Sequence, residues 1–558
     1  MIHLGIDLGT CNSLIAFVDD SQVRIVPNGR GHLLTPSVVG FDENGTVLVG
    51  EAANNQVITA PDKTVQHVKR LMGERLTIDL DGRALAPEEV SAAILSNLRT
   101  AASDFLGVEI REAVVTVPAH FDDRQRHATT EAALLAGFRT VHLLNEPTAA
   151  ALPYAARDRR QERIVVFDFG GGTLDVSCLE RNDEDYSVRA TVGDGHLGGA
   201  DIDRVLFDRI AREIEAQSGE DVVDDPHIRQ MIMQMAESAK IDLSDRTTTT
   251  VTVPFFGSRS RGTVHHPSVE LSREELEDMI VPIVDRAVTA TRQAIAEAGF
   301  DTSGFDTLVL AGGSSRLPVM QRNLRELYDV EIAHRINPEE VVATGAALYA
   351  ASRRGEGFRL HDVLSGTLSV ELADGRCVPI IRKNQTVPVA RTRLFTTVSD
   401  GQTEADVHIV QGQNDLARRN RSLGRFTLPN IKHARRGEAR IAVTVSVNED
   451  GVVRIDAGDR DTGSIKQHVA RARPDSNARP VRGDASRYLR SLVRRLTGLK
   501  ASVTGDLVSE VEQMIAFATQ SISAERIDDI ITVVETLLTE VVARSFESDT
   551  VGGGRVAS

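Results

Sequence analysis

Tryptophan is absent from the 558 residues, and cysteine occurs three times, at Cys11, Cys178 and Cys377. The three thiols lie far apart without CxxC spacing, which indicates neither a zinc site nor a disulfide framework and fits a reducing compartment. No Gly-Lys pair occurs anywhere, so a GxxxxGK[ST] phosphate loop is excluded. No apolar run reaches the roughly 18 residues of a membrane span. The first strand begins near His3, which leaves no room for a secretory leader. The expectation is a soluble, cytoplasmic protein with no membrane partner. Positive charge is also in deficit: 64 Lys and Arg against 80 Asp and Glu give −16, which argues against a nucleic-acid partner. The local basic stretch Arg418, Arg419, Arg421, Arg425, Arg435 and Arg436 has no interleaved aromatic beyond Phe426 and reads as a solvated face.

What is present is a repeat. Leu4 to Thr10 reads LGIDLGT, and 161 residues after Asp7, Asp168 stands in VVFDFGGGT, from Val165 to Thr173. Each is an apolar strand ending in Asp, a glycine turn, and a Thr opening a second apolar strand. A carboxylate at the end of a buried strand can face a cleft, and the glycines after it let backbone N–H groups point at an anion. Three consecutive glycines, Gly170, Gly171 and Gly172, are costly between strand formers if they merely turn a hairpin. The order of elements around the repeats matches as well. Hairpin strands come first, then strand Glu112 to Val117, a helix from Asp122 to Ala136 and strand Val141 to Leu144; in the second half come a helix from Asp201 to Ala216, strand Thr307 to Ala311 and helix Leu317 to Tyr328. An α/β lobe built twice follows, with helical insertions at 45–105 and 220–300. In the latter, Met231, Met235 and Ala239, then Leu276, Ile280, Val284 and Val288, recur on one helical face.

Past residue 360 the pattern changes to short alternating runs punctuated by Asp400-Gly401, Asp450-Gly451 and Thr462-Gly463, the signature of a β-sandwich. Residues 471–486, rich in Arg, Pro, Asp and Ser, read as a connector. Leu489, Leu492, Val493 and Leu496, then Ile527 through Val541, form helical stripes.

Gly193, Gly195 and Gly198 spell GxGxxG, but the next strand is not expected until about Val251, so the compact βαβ unit of a dinucleotide site is missing. Gly198-Gly199 with Asp201, and Gly312 to Arg316, each place glycine where a helix starts, a position that favours negative charge. Lys69 and Arg70 are either surface charges or a reach toward a γ-phosphate. Glu146, followed by Pro147, is either a carboxylate at a helix N-terminus or one that orients a water.

The segments GIDLGTCNS, VKRLMG, VTVPAHFDDRQRHAT, LLNEPTAAAL, FDFGGGTLDVS, GDGHLGGADID, AESAKIDLS, LAGGSSRLPVMQ and NPEEVVATGAAL resemble, in order, the ATPase domain of DnaK-type chaperones, the seventy-kilodalton heat-shock family. LFTTVSDGQ, VHIVQGQ and SLGRFTLPNI resemble that family's peptide-binding domain; the resemblance covers residues 2 to 466. It implies a multidomain α/β protein: an actin-like ATPase domain at 1–358, a linker at 359–367, a β-sandwich at 368–470, the connector, an α-helical lid-like region at 487–546 and a tail at 547–558. The implied function is an ATP-hydrolysing chaperone for exposed apolar segments of unfolded polypeptides, using ATP/ADP and Mg²⁺, with a J-domain co-chaperone and a nucleotide-exchange factor as partners. A small-molecule kinase or an actin-like scaffold on the same ATPase fold is the alternative, and the β-rich region argues against a kinase.

Carried over position by position, the resemblance implies Asp7 and Asp168 on hydrated Mg²⁺, and Thr10, Lys69 and Thr173 on the phosphates. Glu146 and Asp175 would orient the attacking water. Cys11, Asn12, Gly170, Gly171, Gly172, Gly198, Gly199, Asp201, Gly312, Gly313 and Ser314 would line the nucleotide cleft. Glu237, Lys240 and Ser244 would lie on the ribose and adenine side, with Arg316 stacked on the base. Pro118 and Arg126 would relay nucleotide state, and Val370, Leu372, Val398, Val407 and Ile409 are the candidates for the peptide groove. Three departures stand out: Cys11 replaces a usual Thr, the linker Asp362 to Thr367 is short and weakly apolar, and His142 replaces an Arg that meets J-domain partners. The C-terminal helical region is short and has no acidic tail.

Overall fold

The computed structural model describes residues 3–20, 22–154, 161–219, 225–254, 266–300, 304–328, 330–333, 336–353, 357–463, 465–469, 484–500, 506–520 and 527–547. Most of the expected connector at 471–486, and all but the first residue of the tail at 547–558, lie outside them. Among the described residues, no helix is long and apolar enough to cross a membrane. The chain forms two compact units.

The first unit comprises Met1–Arg70, Asn145–Glu184 and Arg189–Gly357. Strand Leu4–Leu8 pairs antiparallel with Asn12–Asp19, which pairs with Gln22–Ile25. Leu4–Leu8 is buried except at Asp7, so the carboxylate marks the one opening in an apolar strand. A second sheet runs in the order Glu331–Ala333, Thr307–Ala311, Gln161–Phe169, Leu174–Asn182, Asp185–Asp194. Its central strand Gln161–Phe169 holds Ile164, Val165, Val166 and Phe167 fully buried and delivers Asp168 near its end. Burying a run of that kind contributes about 1.5–3 kcal/mol per large side chain, which fixes the strand that carries the acid.

Helices Glu146–Ala151 and Val341–Ser352 cross this unit at very close range. A Cβ on Gly345 would lie 1.8 Å from the Ala149 carbonyl oxygen, and one on Gly5 would lie 2.1 Å from the Ala347 nitrogen. Glycine is needed at both places because backbone meets backbone there. Helices Gly199–Ser218 and Pro226–Asp245 pack together beside the hairpin Thr248–Thr252 and Ser268–Ser272. The apolar stripe from Leu276 to Val288 is carried by two helices, Arg273–Met279 and Val281–Ala298; Pro282 lacks the N–H that would continue a single one.

The second unit comprises Leu71–Leu144, Asp185–Val188 and Phe358–Ser558. Its sandwich has two four-stranded sheets: Cys377–Ile381, Leu368–Glu371, Glu404–Gln411, Arg421–Pro429, and Val389–Phe395, Ile441–Val447, Val453–Asp459, Ile465–Val469. Strict in–out alternation of Ile441–Val447 and Val453–Asp459 builds the shared core. Helices Pro87–Leu106 and Asp123–Leu135 pack on each other, the latter capped by the Asp122 carboxylate accepting from Gln125 N–H.

Within this unit, helix Ala485–Leu499 buries Leu489, Leu492 and Leu496 together with Arg495. The Arg495 guanidinium takes both oxygens of Glu131 and lies 3.6 Å from Glu88. Arg494 reaches Glu89 at 2.8 Å, and Arg75 reaches Glu535 of helix Ile527–Glu547 at 2.9 Å.

Candidate active site

One cavity of about 510 Å³ collects most of the residues singled out by sequence. Its lining holds Asp7, Thr10, Cys11, Asn12, Lys69, Glu146, Asp168, Gly170, Gly171, Thr173, Glu237, Lys240, Ser244, Gly312, Gly313, Ser314 and Arg316, all of them in the first unit. The two strand-end carboxylates of the repeat therefore meet one space.

The glycine turns are packed to the limit around it. A Cβ on Gly171 would sit 2.3 Å from Cys11 Sγ, one on Gly172 would sit 2.7 Å from Thr10 Oγ1, and one on Gly199 would sit 2.6 Å from Ser314 Oγ. Gly312 adopts φ +76°, and a Cβ there would strike the Phe169 carbonyl carbon at 2.5 Å. Ser314 Oγ donates to the Gly170 carbonyl at 2.9 Å, and Gly199 N–H donates to the same carbonyl at 3.0 Å. Arg70 ties the floor together: its Nη2 donates to the Gly172 carbonyl at 2.8 Å and to Asp201 at 2.7 Å, while Asp201 accepts from Gly198 N–H at 2.8 Å. Gly172, Gly198, Gly199 and Asp201 thus lie behind the lining and shape it.

Charge in the cavity is unbalanced. Lys69 and Glu146 are both buried and joined by a hydrogen bond from Nζ to Oε1. Burial acts against the Lys69 ammonium, but Glu146, Asp7 and Asp168 outweigh it and hold its pKa above the ordinary lysine value. Asp168 is pushed well up by burial first and then by Glu146, Asp175 and Asp7. Asp175 stands across the strand pair from Asp168, 1% exposed and outside the lining. Around Lys69, three lining carboxyl groups with Asp175 behind them face one ammonium, which leaves this end of the site short of positive charge.

Lys240 makes an ion pair with Asp203 at 2.7 Å, and burial raises the Asp203 carboxyl to about 6 although Lys240 opposes this. Neither Asp203 nor the bridging role of Arg70 was expected from sequence; no local spacing links residues 203 and 240. Ser244 Oγ donates to the Lys240 carbonyl of its own helix at 3.0 Å. Arg316 donates to Asn337 and lies 3.5 Å from Glu339. Burial pushes the Cys11 thiol up to about 12, which leaves it a neutral lining group. His227 Nδ1 lies 2.8 Å from the Ile58 carbonyl, and Gln230 donates to Gln66 at 3.2 Å, joining two further segments of the unit.

The other candidates lie in the second unit. Pro118 is buried just after strand Glu112–Val117. Arg126 is 7% exposed and donates to the carbonyls of Phe121 at 3.2 Å and Asp450 at 3.3 Å. Burial lowers its pKa, against Asp362, Asp123 and Asp450. Asp450 accepts from Leu143 N–H at 3.0 Å and lies 3.7 Å from His142 Nδ1. The groove candidates are divided: Val370, Val407 and Ile409 pack in the sandwich core, Leu372 is half-buried and Val398 is 55% exposed. Two arginines of the basic stretch are engaged, Arg421 with Asp122 and Arg425 with Glu371 at 2.7 Å.

A family model described as Hsp70 protein matches residues 3–80 and 75–539. "Chaperone protein DnaK" of Thermosipho melanesiensis is 39% identical over 496 residues, covering 87% of this chain and 83% of that protein. The protein of the same name from Thermotoga neapolitana gives the same figures, and that of Thermosipho africanus is 39% identical over 478 residues, 84% and 80% of the two chains. The chain belongs to the Hsp70 family. It is accordingly an ATP-dependent chaperone and an ATPase, and the small-molecule kinase and scaffold readings are set aside.

Proposed function

We propose that the cavity bearing Asp7 and Asp168 hydrolyses ATP with Mg²⁺ and that the second unit couples this to the capture of extended apolar polypeptide. The observation that carries the reading is the meeting of two strand-end carboxylates, Lys69 and Glu146 in one space walled by glycine. The residues fit the group: a triphosphate would be repelled by Asp7, Glu146 and Asp168 unless a cation accompanied it. Among the described residues no cluster of three or more His, Cys, Asp or Glu side chains is set to hold a metal. Mg²⁺ typically completes its shell with water and phosphate oxygens, which suits a site offering two carboxylates. When bound, Mg²⁺ would neutralise charge on the transferring phosphate.

The chain's own residues supply position and charge. Thr10, Thr173 and the glycine turns present backbone and hydroxyl groups to phosphate oxygens. Lys69, kept protonated by its neighbours, faces the charge that develops at the γ-phosphate. Glu146, held by Lys69, accepts from the attacking water and orients it, and Asp175 acts through Asp168. Lys240 with Asp203, Glu237, Ser244 and Arg316 form the nucleoside side of the cavity. We assign 1–358 to an actin-like ATPase domain and 359–367 to its linker. Arg126, seated on the Asp450–Gly451 turn and near Asp362, carries nucleotide state toward the sandwich. Polypeptides, a J-domain co-chaperone and an exchange factor are the partners of this cycle in the cytoplasm.

Asp168→Asn tests the carrying observation through Mg²⁺-dependent single-turnover hydrolysis. The expected result is a rate reduced by about 10²-fold or more and no further response to Mg²⁺. A wild-type rate with its Mg²⁺ response intact would remove the carboxylate pair from the mechanism.

A further inference from the structure

We propose that the β-sandwich selects extended segments in which apolar residues are accompanied by carboxylates, and that Arg391 and Arg393 make the selection. The inference rests on the peptide-binding reading above. Strand Val389–Phe395 is the edge of its sheet, hydrogen-bonded to Ile441–Val447. Its two ends, Val389 and Phe395, pack against the sandwich core. Between them Arg391 stands opposite Val445 and Arg393 opposite Val443, and both valines are buried in that core. Directly opposed residues of an antiparallel pair share a face of the sheet. Both arginines therefore leave the strand on the core side, yet both are exposed. At this edge, guanidinium groups therefore stand at positions that the register would otherwise fill with core.

Arg393 reaches the edge strand Cys377–Ile381 of the other sheet, where Val378, Pro379 and Ile380 are half-buried. Arg393 Nη1 donates to the Pro379 carbonyl at 2.9 Å, and Arg391 Nη1 donates to the Ala390 carbonyl at 3.1 Å. Neither guanidinium has a carboxylate partner among the described residues. Other arginines of the domain do: Arg376 pairs with Asp374 and Arg440 with Asp461. Residues 368–463 carry fifteen Lys and Arg against twelve Asp and Glu, a positive balance in a chain of net charge −16.

An edge with half-buried apolar neighbours and two exposed guanidinium groups that have no carboxylate partner among the described residues attracts a carboxylate, which accepts from the planar fork, and repels a lysine. Inward-pointing charge on an edge strand also blocks pairing with a second sheet. The two roles separate by experiment.

Fluorescence anisotropy with the full-length chain and ADP would compare dye-labelled peptides of about nine residues, one Leu/Val core flanked by Glu, Ser or Lys. The Glu-flanked peptide is expected to bind roughly ten-fold more tightly than the Lys-flanked one at low salt, with the gap closing as salt is raised. Arg391→Gln with Arg393→Gln should level the two, and Arg391→Lys with Arg393→Lys, which retains the charge but not the fork, should keep only part of the gap. A wild-type chain that binds the Ser-flanked peptide without charge preference overturns this inference alone. A preference that survives the double Gln variant overturns it too, and leaves the arginines as guards of the edge. Failure of all three peptides to bind overturns the peptide-binding reading, and this inference with it.

Discussion

Lys69 in the first unit and Arg495 in the second are both buried cations held by glutamates, and the surplus of negative charge around them is resolved in different ways. Lys69 faces Glu146, Asp7 and Asp168, with Asp175 behind, and all but Asp175 open onto a cavity. Arg495 is clasped by Glu131, with Glu88 at 3.6 Å, inside a packed junction of helices. Open to a ligand, the first surplus pushes the Asp168 carboxyl up as well, but there it can be met by a cation that arrives with substrate. Sealed by packing, the second takes a proton: burial, with Arg495 opposing, raises the Glu88 carboxyl to about 7. A charge imbalance facing a cavity is chemistry, and one enclosed by side chains is structure.

The largest expected effect breaks the first half of that comparison. Lys69→Ala removes the ammonium from the carboxylate group, and single-turnover hydrolysis should fall by about 10²–10³-fold, the typical loss of one preorganised donor. Retention of the wild-type rate would make Lys69 a structural cation like Arg495. Next comes the junction itself. Arg495→Ala strands Glu131 in a buried position, and breaking a buried pair from one side costs about 3–5 kcal/mol. Amide exchange should then rise across 485–499 and 123–135, whereas replacing Arg495 with Met and Glu131 with Leu together should restore much of the protection. Equal exchange in wild type and Arg495→Ala would show the pair contributes nothing.

A smaller effect sharpens the second half. The Glu88 carboxyl has a folded value near 7 against an ordinary 4.5. The folded state therefore binds the proton more tightly than the unfolded chain. The stability this gives is fully present below about 4.5 and is lost as pH rises through about 7. The groups facing it are Arg495, Glu131, Glu89 and the Tyr488 hydroxyl, which is itself pushed up by burial and Glu535. Urea titrations of Glu88→Gln at pH 6 and pH 8 should show less decline with pH than wild type, and identical slopes would refute the assignment.

Much of the cleft was legible because its signals are contiguous. The runs Gly170 to Gly172 and Gly312 to Ser314 each make one turn, and the apolar runs leading to Asp7 and Asp168 place them one residue short of their strand ends. What joins those turns was not legible. Arg70 to Asp201 and Lys240 to Asp203 are pairs made by folding across long sequence separations, with no pattern to announce them. Alternation in the sandwich fixed two faces without saying which one opens outward, so Val370, Val407 and Ile409 lie in the core beside exposed Val398. Arg495 interrupts an apolar stripe, and a charge there reads as solvated until its glutamates are seen on helices almost four hundred residues earlier.

The smallest expected effect concerns how the substrate cavity keeps its contents. Gln230 donates to Gln66 at 3.2 Å, and His227 Nδ1 meets the Ile58 carbonyl at 2.8 Å; both contacts are exposed or only part-buried and join segments of one unit. Hydrogen bonds of this sort contribute about 0.5–1.5 kcal/mol each. If they hold the unit closed around nucleotide, Gln230→Ala should speed release of a fluorescent ADP by about two- to ten-fold, with the hydrolytic step itself unchanged. The split matters more than the size. Faster release with unaltered single-turnover chemistry separates retention from catalysis, whereas a slower chemical step would mean that these contacts help set the positions of Lys69 and Glu146.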